Sequence, residues 1–395
     1  MSAVTALSSD RAAEIPSVDR WATLVAHDVG PVGGMERQMA RLATGLLDAD
    51  WHVVVVARRC ELPAHPRLHV VRVRGPRKPF AVAYPWFLVA GSLALSRHRR
   101  GVVHAMGAIV LNRVDIATVH FCHRAAHGTA AARRVARPGV FRQLSAVLVE
   151  PLKLTGERLL SRADRLVASS RGVARELAEH WGAAAVQVIP NGVDVATIMP
   201  SREHRARTRA EWGLGDDDLV ALFLGGDWKR KGLEACVEAV CAASRWHLVV
   251  VGPGDPNPYR ADAIRHGALE RVHFVGTTDD LPGAYAAADV FVLPSAYESS
   301  PLALYEAASA GLPLIVTRFN GAEDIVDDGV TGWFVERDGR DIGQRLEQLR
   351  DAPSTRNAMA ERARAAALPF DWESIVNSYA DLYESAVATS AAEAA

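Results

Sequence analysis

Two glutamates in the second half of the chain have a spacing that suits the binding of hydroxyl groups. Glu298 is predicted in a loop after a strand, and Glu306 lies about two turns into the helix that follows. The residues around Glu306 are apolar, where an unpaired carboxylate is expensive to bury. Two carboxylates on one loop-helix unit could accept hydrogen bonds from sugar and ribose hydroxyls. A helix-end charge beside a solvated glutamate would give the same spacing, so both interpretations stay open.

A basic turn follows the first predicted strand of the same half. Lys229, Arg230 and Lys231 are consecutive and are predicted at the start of a helix, where the helix dipole disfavours positive charge. Cations placed against that preference indicate a bound anion, and a diphosphate fits. A solvated basic turn is the alternative, and the helix-end argument favours the phosphate.

A second candidate anion site lies near the start of the chain. Gly33 and Gly34 stand between a predicted strand and a helix, so backbone amides can approach an anion there, and the helix N-terminus adds partial positive charge. The segment has neither the G-x-G-x-x-G pattern nor the Lys-Ser/Thr pair of a P-loop. A tight turn without a ligand would require the same glycines.

Three histidines follow another predicted strand. His123 and His127 would share one face of a helix. Because the segment has no H-E-x-x-H motif and no cysteine pair, we predict no metal site there and no cofactor for the protein. We expect His120, at the carboxyl end of its strand, to face a cleft; a satisfied core histidine is the alternative.

The elements that must position these residues form two successive α/β runs. Strands are predicted at 21–26, 52–57, 68–73, 102–104, 116–121, 165–168 and 186–189, and again at 219–224, 247–251, 271–275, 290–293, 313–316 and 333–335. Continuous β-branched runs alternating with helices indicate parallel sheets covered on both faces. Two doubly wound sheets in tandem face a cleft at the carboxyl ends of their strands, where ligands bind.

These runs predict a division of the chain. We expect a mobile tail at 1–20, a first Rossmann-like domain at 21–195, a second at 196–370, and a C-terminal helix with a short tail at 371–395. In the second run, helices are predicted at 231–243, 258–267 and 301–310. The last helix is predicted from Trp372 to Val387, with Asp371 as its N-cap.

Composition predicts a cytoplasmic protein without a membrane span. The longest apolar stretch runs from Phe80 to Leu95, is interrupted by Pro85, Gly91 and Ser92, and is shorter than the roughly 20 residues that a spanning helix needs. The N-terminus lacks the pattern of a secretory signal. The four cysteines form no C-x-x-C pair and no disulfide framework, which suits a reducing compartment.

The net charge of −1 hides an asymmetry between the halves. Residues 21–195 carry 24 Lys and Arg against 12 Asp and Glu, and residues 196–395 carry 19 against 31. The first half could therefore meet something anionic; attraction between two oppositely charged domains is the alternative. Within it, residues 124–165 hold nine Lys and Arg. Apolar residues recur among them at helical spacing: Val140, Phe141, Leu144, Val147 and Leu148.

That basic stretch is the basis of a membrane hypothesis. Its face could approach an anionic membrane or a lipid-linked acceptor, which would place the protein at the inner face of the membrane. A helix that simply covers the sheet is the alternative. We predict no nucleic-acid partner.

Taken in order, several segments resemble the GT-B glycosyltransferases of family 4, which include the lipopolysaccharide core glucosyltransferases and the phosphatidylinositol mannosyltransferases. The resemblance runs from about Trp21 to the end of the chain. The matching segments are Gly-Gly-Met-Glu-Arg at 33–37, Ala-Thr-Val-His at 117–120, Ile-Pro-Asn-Gly-Val-Asp at 189–194, Arg-Lys-Gly-Leu at 230–233, Val-Gly at 275–276, Ala-Asp-Val-Phe-Val-Leu-Pro-Ser at 288–295 and the E-x7-E pair. That pair, followed by Ala-Gly-Leu-Pro, is the most specific.

The resemblance implies a retaining, metal-independent transfer of a hexose from a nucleotide-diphosphate sugar to a small-molecule, glycan or lipid-linked acceptor. It also implies a role for each candidate residue: Glu298 would hold sugar hydroxyls, Glu306 the ribose hydroxyls, Arg230 and Lys231 the diphosphate with the amides of Gly33 and Gly34, and Val275, Gly276 and Thr277 the base. His120 would lie beside the transferred sugar. In such enzymes the final helix crosses back onto the first domain.

One departure concerns the donor sugar. Many relatives carry a glycine directly after the first glutamate, where this chain has Ser299, Ser300 and Pro301 before Leu302. All four belong to the implied donor site, but Pro301 has no N–H to donate. The short cationic turn is similar to that of the lipopolysaccharide glucosyltransferases. This similarity favours a UDP-glucose-like donor.

Three rival functions share features with the transferase. A nucleotide-sugar epimerase could use a similar fold without an acceptor. A non-catalytic sugar-nucleotide-binding relative is another possibility, although both glutamates and the phosphate cations are intact. A dinucleotide oxidoreductase is disfavoured because neither half has G-x-G-x-x-G after its first strand.

Overall fold

The computed structural model of the protein describes residues 20–31, 33–128, 154, 156–183 and 185–394. The strands are β1 (Trp21–Val25), β2 (Asp28–Val29), β3 (His52–Ala57), β4 (Arg59–Cys60), β5 (Leu68–Arg72), β6 (Val102–Met106), β7 (Val114–Val119), β8 (Ala163–Ala168), β9 (Val186–Val188), β10 (Leu219–Leu224), β11 (Trp246–Val251), β12 (Val272–Gly276), β13 (Val290–Leu293), β14 (Leu314–Val316) and β15 (Gly332–Phe334).

Helices connect most of these strands. They are α1 (Gly34–Asp48), α2 (Phe80–His98), α3 (His123–Gly128), α4 (Arg171–Trp181), α5 (Arg202–Trp212), α6 (Trp228–Lys231), α7 (Leu233–Ala242), α8 (Asn257–Arg265), α9 (Leu281–Ala286), α10 (Leu302–Ser309), α11 (Gly339–Asp351), α12 (Pro353–Ala367) and α13 (Trp372–Ala394). Short 3-10 helices lie at 158–162, 269–271, 322–324 and 368–370.

The strands form two large parallel sheets, which confirms the predicted α/β class with two Rossmann-like sheets. The first sheet has the order β5-β3-β1-β6-β7-β8-β9, and the second has the order β12-β11-β10-β13-β14-β15. In both sheets the strand order reverses beside the first strand of the run, between β1 and β6 and between β10 and β13. Such reversals open a crevice at the carboxyl ends of the strands, so the candidate residues should gather there.

The first sheet is covered on both faces. Tyr84, Phe87 and Leu95 of α2 are buried against one face. Met39 and Leu42 of α1 pack on the other face together with side chains of α13. The residues that α13 contributes to this core are Ile375, Val376, Tyr379, Leu382 and Tyr383. The last helix therefore completes the core of the first sheet, although it follows the second sheet in the chain.

The helix α2 differs from the sequence expectation. Pro85 was expected to interrupt the apolar stretch, but a helix of 19 residues runs through it. The proline removes one backbone hydrogen bond. Burial of Phe87 and Leu95, both fully buried, compensates for that loss. By length and composition α2 could cross a membrane, and 33% of its most apolar window is buried in the structure. Core helices of water-soluble proteins pass the same test.

Two other expectations fall largely outside the described residues. Of the tail at 1–20, only Arg20 is described, and most of the basic stretch 124–165, including its apolar residues at 140–148, lies in the undescribed part. The four cysteines, all within the described part, are free thiols.

Candidate active site

The structure brings Glu298 together with two of the predicted cations. Its Oε1 atom accepts hydrogen bonds from Arg230 Nη1 at 2.8 Å and from Lys231 Nζ at 2.9 Å. Ser295 Oγ donates to the same oxygen at 3.0 Å. The side chains of Lys231 and Glu298 are only 12% and 11% exposed. This cluster lies just past β13, at the carboxyl edge of the second sheet.

The electrostatics of this cluster favour fully charged groups. Burial alone would lower the pKa of Arg230, but Glu298 and Asp227 together raise it above its ordinary value. Arg230 Nε also donates to Asp227 Oδ2 at 3.0 Å. Glu298 and the half-exposed Asp227 thus hold the two cations charged and in place, where an anionic ligand could bind them.

Glycines at both ends of α6 shape the basic turn. Gly225 has φ of +134°, and a Cβ there would lie 2.7 Å from the Lys231 side chain. Gly232 has φ of +85° and ends α6 directly after Lys231. The helix predicted at 231–243 is observed as α7, which begins at Leu233 with Gly232 as its N-cap. The three cations lie directly before that N-terminus, in the separate one-turn helix α6, and the bound phosphate stays a prediction.

Glu306 is buried and paired with a residue from the first sheet's side of the molecule. Its Oε1 atom accepts from Arg37 Nη2 at 2.5 Å, and its Oε2 atom accepts from Tyr285 Oη at 2.8 Å. Only 6% of its side chain is exposed. Burial, and then the adjacent carboxylate, raise the pKa of Tyr285 well above its ordinary value, so this hydroxyl stays a donor. The carboxylate thus has the partners that its apolar surroundings require.

The two N-terminal glycines lie at the start of α1 and opposite α10. Gly33 is the N-cap of α1 with φ of +97°, and a Cβ there would collide with the Glu36 carboxylate. A Cβ on Gly34 would lie 3.9 Å from Leu302 Cδ1. The amide end of α1 therefore faces the loop and helix that carry the two glutamates.

His120 is buried next to polar side chains at the carboxyl edge of the first sheet. It follows β7 and is 8% exposed. Its Nε2 atom is hydrogen-bonded to Gln38 Oε1 of α1. Burial lowers the pKa of His120 to about 4, and the nearby Asn191 side chain opposes that shift. The imidazole is therefore neutral near pH 7, and its Nδ1 atom has no hydrogen-bond partner among the described residues.

The segment predicted to contact a base lies at the end of β12. Val275 and Gly276 end that strand, Thr277 follows it, and Gly276 has φ of +75°. Its carbonyl accepts from the Gly252 amide at 2.7 Å, and a Cβ on Gly252 would lie 2.4 Å from the Gly225 carbonyl oxygen. The carboxyl ends of β10, β11 and β12 are thus packed backbone to backbone beside the cationic turn.

The segment after Glu298 is joined to the first sheet by its backbone. The Ser299 carbonyl accepts from Ser170 Oγ at 2.7 Å, and the Ser300 carbonyl accepts from Asn191 Nδ2 at 2.8 Å. Pro301 is the N-cap of α10, which begins at Leu302. The four residues of this segment therefore lie between the two sheets, as a cleft-facing segment should.

The other two histidines do not join His120. His123 Nδ1 lies 2.8 Å from Glu157 Oε1, and that glutamate also accepts from Trp181 Nε1 at 3.2 Å. The side chain of His127 is not among those described. Within the described residues no group of three His, Cys, Asp or Glu side chains has metal-binding geometry.

Sequence reasoning missed several residues of this cleft. Arg37 lies inside the 33–37 segment that carries part of the family resemblance, but the sequence predicts no role for it. Gln38 and Tyr285 are not among the predicted site residues. A signal existed for Gln38, because it lies between Met35 and Leu42 on the apolar side of a predicted amphipathic helix. The pairing of Arg37 with Glu306 spans 269 residues, and no local pattern predicts it.

Comparison with known proteins identifies the class. A family model described as Glycosyltransferase Family 4 matches residues 32–218, and a second, Glycosyl transferases group 1, matches residues 218–351. The D-inositol 3-phosphate glycosyltransferase of Kineococcus radiotolerans is 31% identical over 433 aligned residues, which cover 95% of this chain and 98% of that protein.

Solved structures agree on the fold. WaaG, a glycosyltransferase involved in lipopolysaccharide biosynthesis, superposes with a TM-score of 0.75 at 20% identity over 92% of this chain and 99% of that one. Anabaena HepE in complex with UDP and glucose gives 0.70 at 18% identity over 92% and 99%. These are glycosyltransferases of the GT-B fold. The chain itself belongs to glycosyltransferase family 4, which confirms the resemblance and makes the protein a transferase.

Proposed function

We propose that this glycosyltransferase moves a hexose from a nucleotide-diphosphate sugar to an acceptor hydroxyl, with retention at the anomeric carbon and without a metal ion. The observation that carries the proposal is the convergence of Arg230 and Lys231 on Glu298 at 2.8 and 2.9 Å. This arrangement puts fixed positive charge and a hydroxyl-binding carboxylate within one side-chain length of each other.

The cations would bind the donor diphosphate. When the bond between the anomeric carbon and the phosphate oxygen breaks, negative charge develops on the leaving nucleotide diphosphate. Preorganised cations in a partly buried site stabilise such charge strongly. Lys231 and Arg230 would supply this stabilisation, and the backbone amides at Gly33 and Gly34 would add hydrogen-bond donors from α1. A divalent ion performs the same task in other enzymes, so the pair supports metal independence.

The carboxylates would bind hydroxyl groups of the donor. Glu298 has a second oxygen, Oε2, to offer to the sugar, because the hydrogen bonds from Arg230, Lys231 and Ser295 all fall on Oε1. Glu306 would accept from the ribose hydroxyls, in competition with Arg37. Val275, Gly276 and Thr277, at the end of β12 and two strands away from β10, would contact the base.

His120 would act as a neutral group beside the transferred sugar. Its low pKa, caused by burial, keeps the imidazole uncharged at physiological pH. A neutral imidazole can hydrogen-bond a sugar hydroxyl without adding positive charge beside a carbon that develops oxocarbenium character. In a same-face reaction the acceptor oxygen bonds to the anomeric carbon, and its proton passes to an oxygen of the departing phosphate.

The comparisons and the charge of the first half indicate the donor and the acceptor. UDP and glucose are the ligands of the HepE complex, and the short Arg230-Lys231 turn is similar to that of the lipopolysaccharide glucosyltransferases, so we propose a UDP-glucose-like donor. The name of the Kineococcus relative includes an inositol phosphate acceptor. An anionic acceptor fits the basic first half of this chain, which has 24 Lys and Arg against 12 Asp and Glu.

A donor screen tests the proposal. The purified protein is incubated with UDP-, GDP- and ADP-hexoses in EDTA, with D-inositol 3-phosphate or a lipid-linked sugar as acceptor, and products are followed by mass spectrometry. We expect one UDP-hexose to be consumed. The anomeric proton coupling of the product by NMR should show the configuration of the donor.

Matched variants assign the site. Lys231→Ala and Glu298→Ala should each lower kcat by about a hundredfold or more, because a charged group facing the developing charge is lost. Lys229→Ala removes the neighbouring, exposed cation of the same turn and should leave kcat within about twofold. Loss of activity in EDTA with recovery in Mg²⁺, or an inverted product, would contradict the proposed mechanism. Equal losses in the Lys229 and Lys231 variants would contradict the assigned site.

A further inference from the structure

One face of α2 is apolar and open to solvent. Val82, Trp86, Val89 and Leu93 are 52%, 50%, 53% and 54% exposed. Their spacing of four, three and four residues places them on one side of the helix. We call these four residues the α2 face. A row of four half-exposed large apolar side chains is unusual on a protein surface and marks a contact site.

The opposite side of α2 fixes the helix to the first sheet. Tyr84 Oη donates to the Ala108 carbonyl at 2.6 Å, and the Phe87 ring packs edge-on against His27 at 4.6 Å between centroids. The helix therefore cannot leave the sheet to cross a bilayer without breaking the core. It can only present the α2 face from the surface of the folded protein.

The surroundings of the α2 face are positively charged. From residue 62 to residue 114 the chain contains no Asp or Glu and nine Lys and Arg. Arg74, Arg77 and Lys78 precede the helix, Arg97 and Arg100 stand at its end, and all five are exposed. An apolar stripe with basic residues at both ends is complementary to a partner that has anionic groups at its surface and an apolar layer beneath them.

We propose that the α2 face docks on an anionic lipid membrane and lies in the plane of its interface. The four apolar side chains would enter the boundary between head groups and acyl chains, and the flanking cations would meet the phosphates. Trp86 suits the interfacial level, because its indole Nε1 donates to the Arg74 carbonyl at 2.9 Å while half of the side chain is open.

Charge argues against a second copy of this chain on the same face. A two-fold dimer through α2 would bring the basic ends of one helix against those of the other. Like charges in contact are unfavourable, and no acidic side chain of residues 62–114 is available to offset them. An anionic lipid surface offsets the same cations.

The position of α2 relates the membrane to the cleft. The helix starts after β5 at the carboxyl edge of the first sheet, and the bond from Tyr84 ties its first half to Ala108, just past β6 at that edge. Val82 and Trp86 therefore lie nearer the cleft than Leu93. A docked enzyme would hold its cleft close to the lipid surface, which suits an acceptor carried by a lipid.

Vesicle flotation with the full chain tests the proposal without donor or acceptor. Vesicles of phosphatidylcholine are compared with vesicles containing about 30% phosphatidylglycerol at low ionic strength. We expect binding to the anionic vesicles only, weakened by added salt. The double variant Trp86→Ser/Leu93→Ser should lower the partition coefficient by about tenfold or more. Arg77→Glu/Lys78→Glu should weaken binding and flatten its salt dependence.

The matched control is Ile264→Ser. Ile264 is 60% exposed on α8, beside the second sheet, and its loss should leave binding unchanged. Urea unfolding shows that each variant is folded. Three results would overturn the proposal: no binding of the wild type to anionic vesicles, equal binding by the Trp86/Leu93 variant, or a dimer in light scattering that this variant dissociates. The last result would assign the α2 face to a second copy.

Discussion

At the scale of single residues, the buried carboxylate of Glu306 has two hydrogen-bond partners, one from its own half of the molecule and one from the other half. Tyr285 belongs to the same side of the cleft, whereas Arg37 reaches it from α1 at 2.5 Å. If the ribose binds Glu306, its hydroxyls must take the place of Arg37. The carboxylate would therefore exchange one hydrogen-bonded partner for another and never remain unpaired, as its burial requires.

Glu306→Gln tests this exchange. The amide preserves size but loses the charge that strengthens bonds from hydroxyls. We expect the donor KM to rise by about tenfold to a hundredfold with a smaller change in kcat, measured by steady-state kinetics. Glu179→Gln, on the exposed surface of α4, is the control and should change neither constant. A fall in kcat at unchanged KM would contradict the ribose role.

Two buried histidines and the partly buried His27 predict how the stability of the protein depends on pH. Burial lowers the pKa of His27 to about 4, of His104 to about 3 and of His120 to about 4. Between these values and about 6.5, the unfolded chain binds protons that the folded chain does not. The free energy of unfolding should therefore be highest above pH 6.5 and fall as the pH drops toward 4, by up to about 1.4 kcal/mol per pH unit for each histidine.

Urea unfolding at pH 7, 6 and 5 measures this slope. His104→Gln removes one of the three groups and should make the slope between pH 6.5 and 5 shallower. A slope that the variant leaves unchanged would show that His104 is not protonated on unfolding in this range.

The residue scale also shows what the sequence could predict. Glu298, Arg230 and Lys231 were recognised from residue type and local spacing, and the structure places all three in one cluster. The cleft residues Arg37 and Gln38 were not recognised. A contact between α1 and residues far away in the sequence depends on how the two sheets face each other. Local spacing has no information on that arrangement.

At the scale of elements, the boundaries of β3, β10 and β13 were predicted to the residue, since each is a continuous apolar run. Two errors had different causes. The start of the helix predicted at 231–243 was placed two residues too early, because the left-handed Gly232, a local signal, separates α6 from α7. Pro85 was expected to interrupt the apolar stretch, but packing of α2 on the sheet outweighs one lost hydrogen bond.

A second element-scale feature is the polar contact of α13 with the first sheet. Tyr383 Oη lies 2.6 Å from His104 Nδ1, and His104 Nε2 lies 2.7 Å from Thr118 Oγ1. All three side chains are fully buried. This hydrogen-bonded chain fixes the register of the last helix on β6 and β7.

Tyr383→Phe should measure the contribution of this contact. The variant keeps the ring and leaves His104 Nδ1 buried without its partner, so we expect about 1–3 kcal/mol less stability in urea unfolding. The control Tyr259→Phe alters a ring that packs on Trp228 in the second sheet's core and should cost less than about 0.5 kcal/mol. Equal costs would show that the phenol group of Tyr383 does not stabilise the fold.

At the scale of the whole molecule, α4 joins the two halves on one side of the cleft. Arg171 Nε donates to Asp324 Oδ1 at 2.5 Å, and Asn320 Nδ2 donates to Glu176 Oε1 at 2.6 Å. Asp324 is 7% exposed and Arg171 60%. These contacts tie the two halves together on this side of the cleft, and closure of such a cleft limits the access of water to the donor.

Arg171→Glu should open the cleft, because it sets a negative charge against Asp324. We expect a larger radius of gyration by small-angle X-ray scattering and a donor KM raised by about threefold to tenfold. The charge-swapped double variant Arg171→Glu/Asp324→Arg should restore both values. Failure of the double variant to recover would show that the single change acts through misfolding and not through the ion pair.

The packing of α13 also determines when the protein can fold during its synthesis. Tyr379 and Tyr383 complete a core that begins with Ala22 and Met39, so the ribosome synthesises the two parts of that core far apart in time. The second sheet can form as soon as it emerges from the exit tunnel, but the first must wait until α13 has emerged as well. Until then the nascent chain exposes the apolar face that α13 will cover, and this is the stage at which chaperones would bind it.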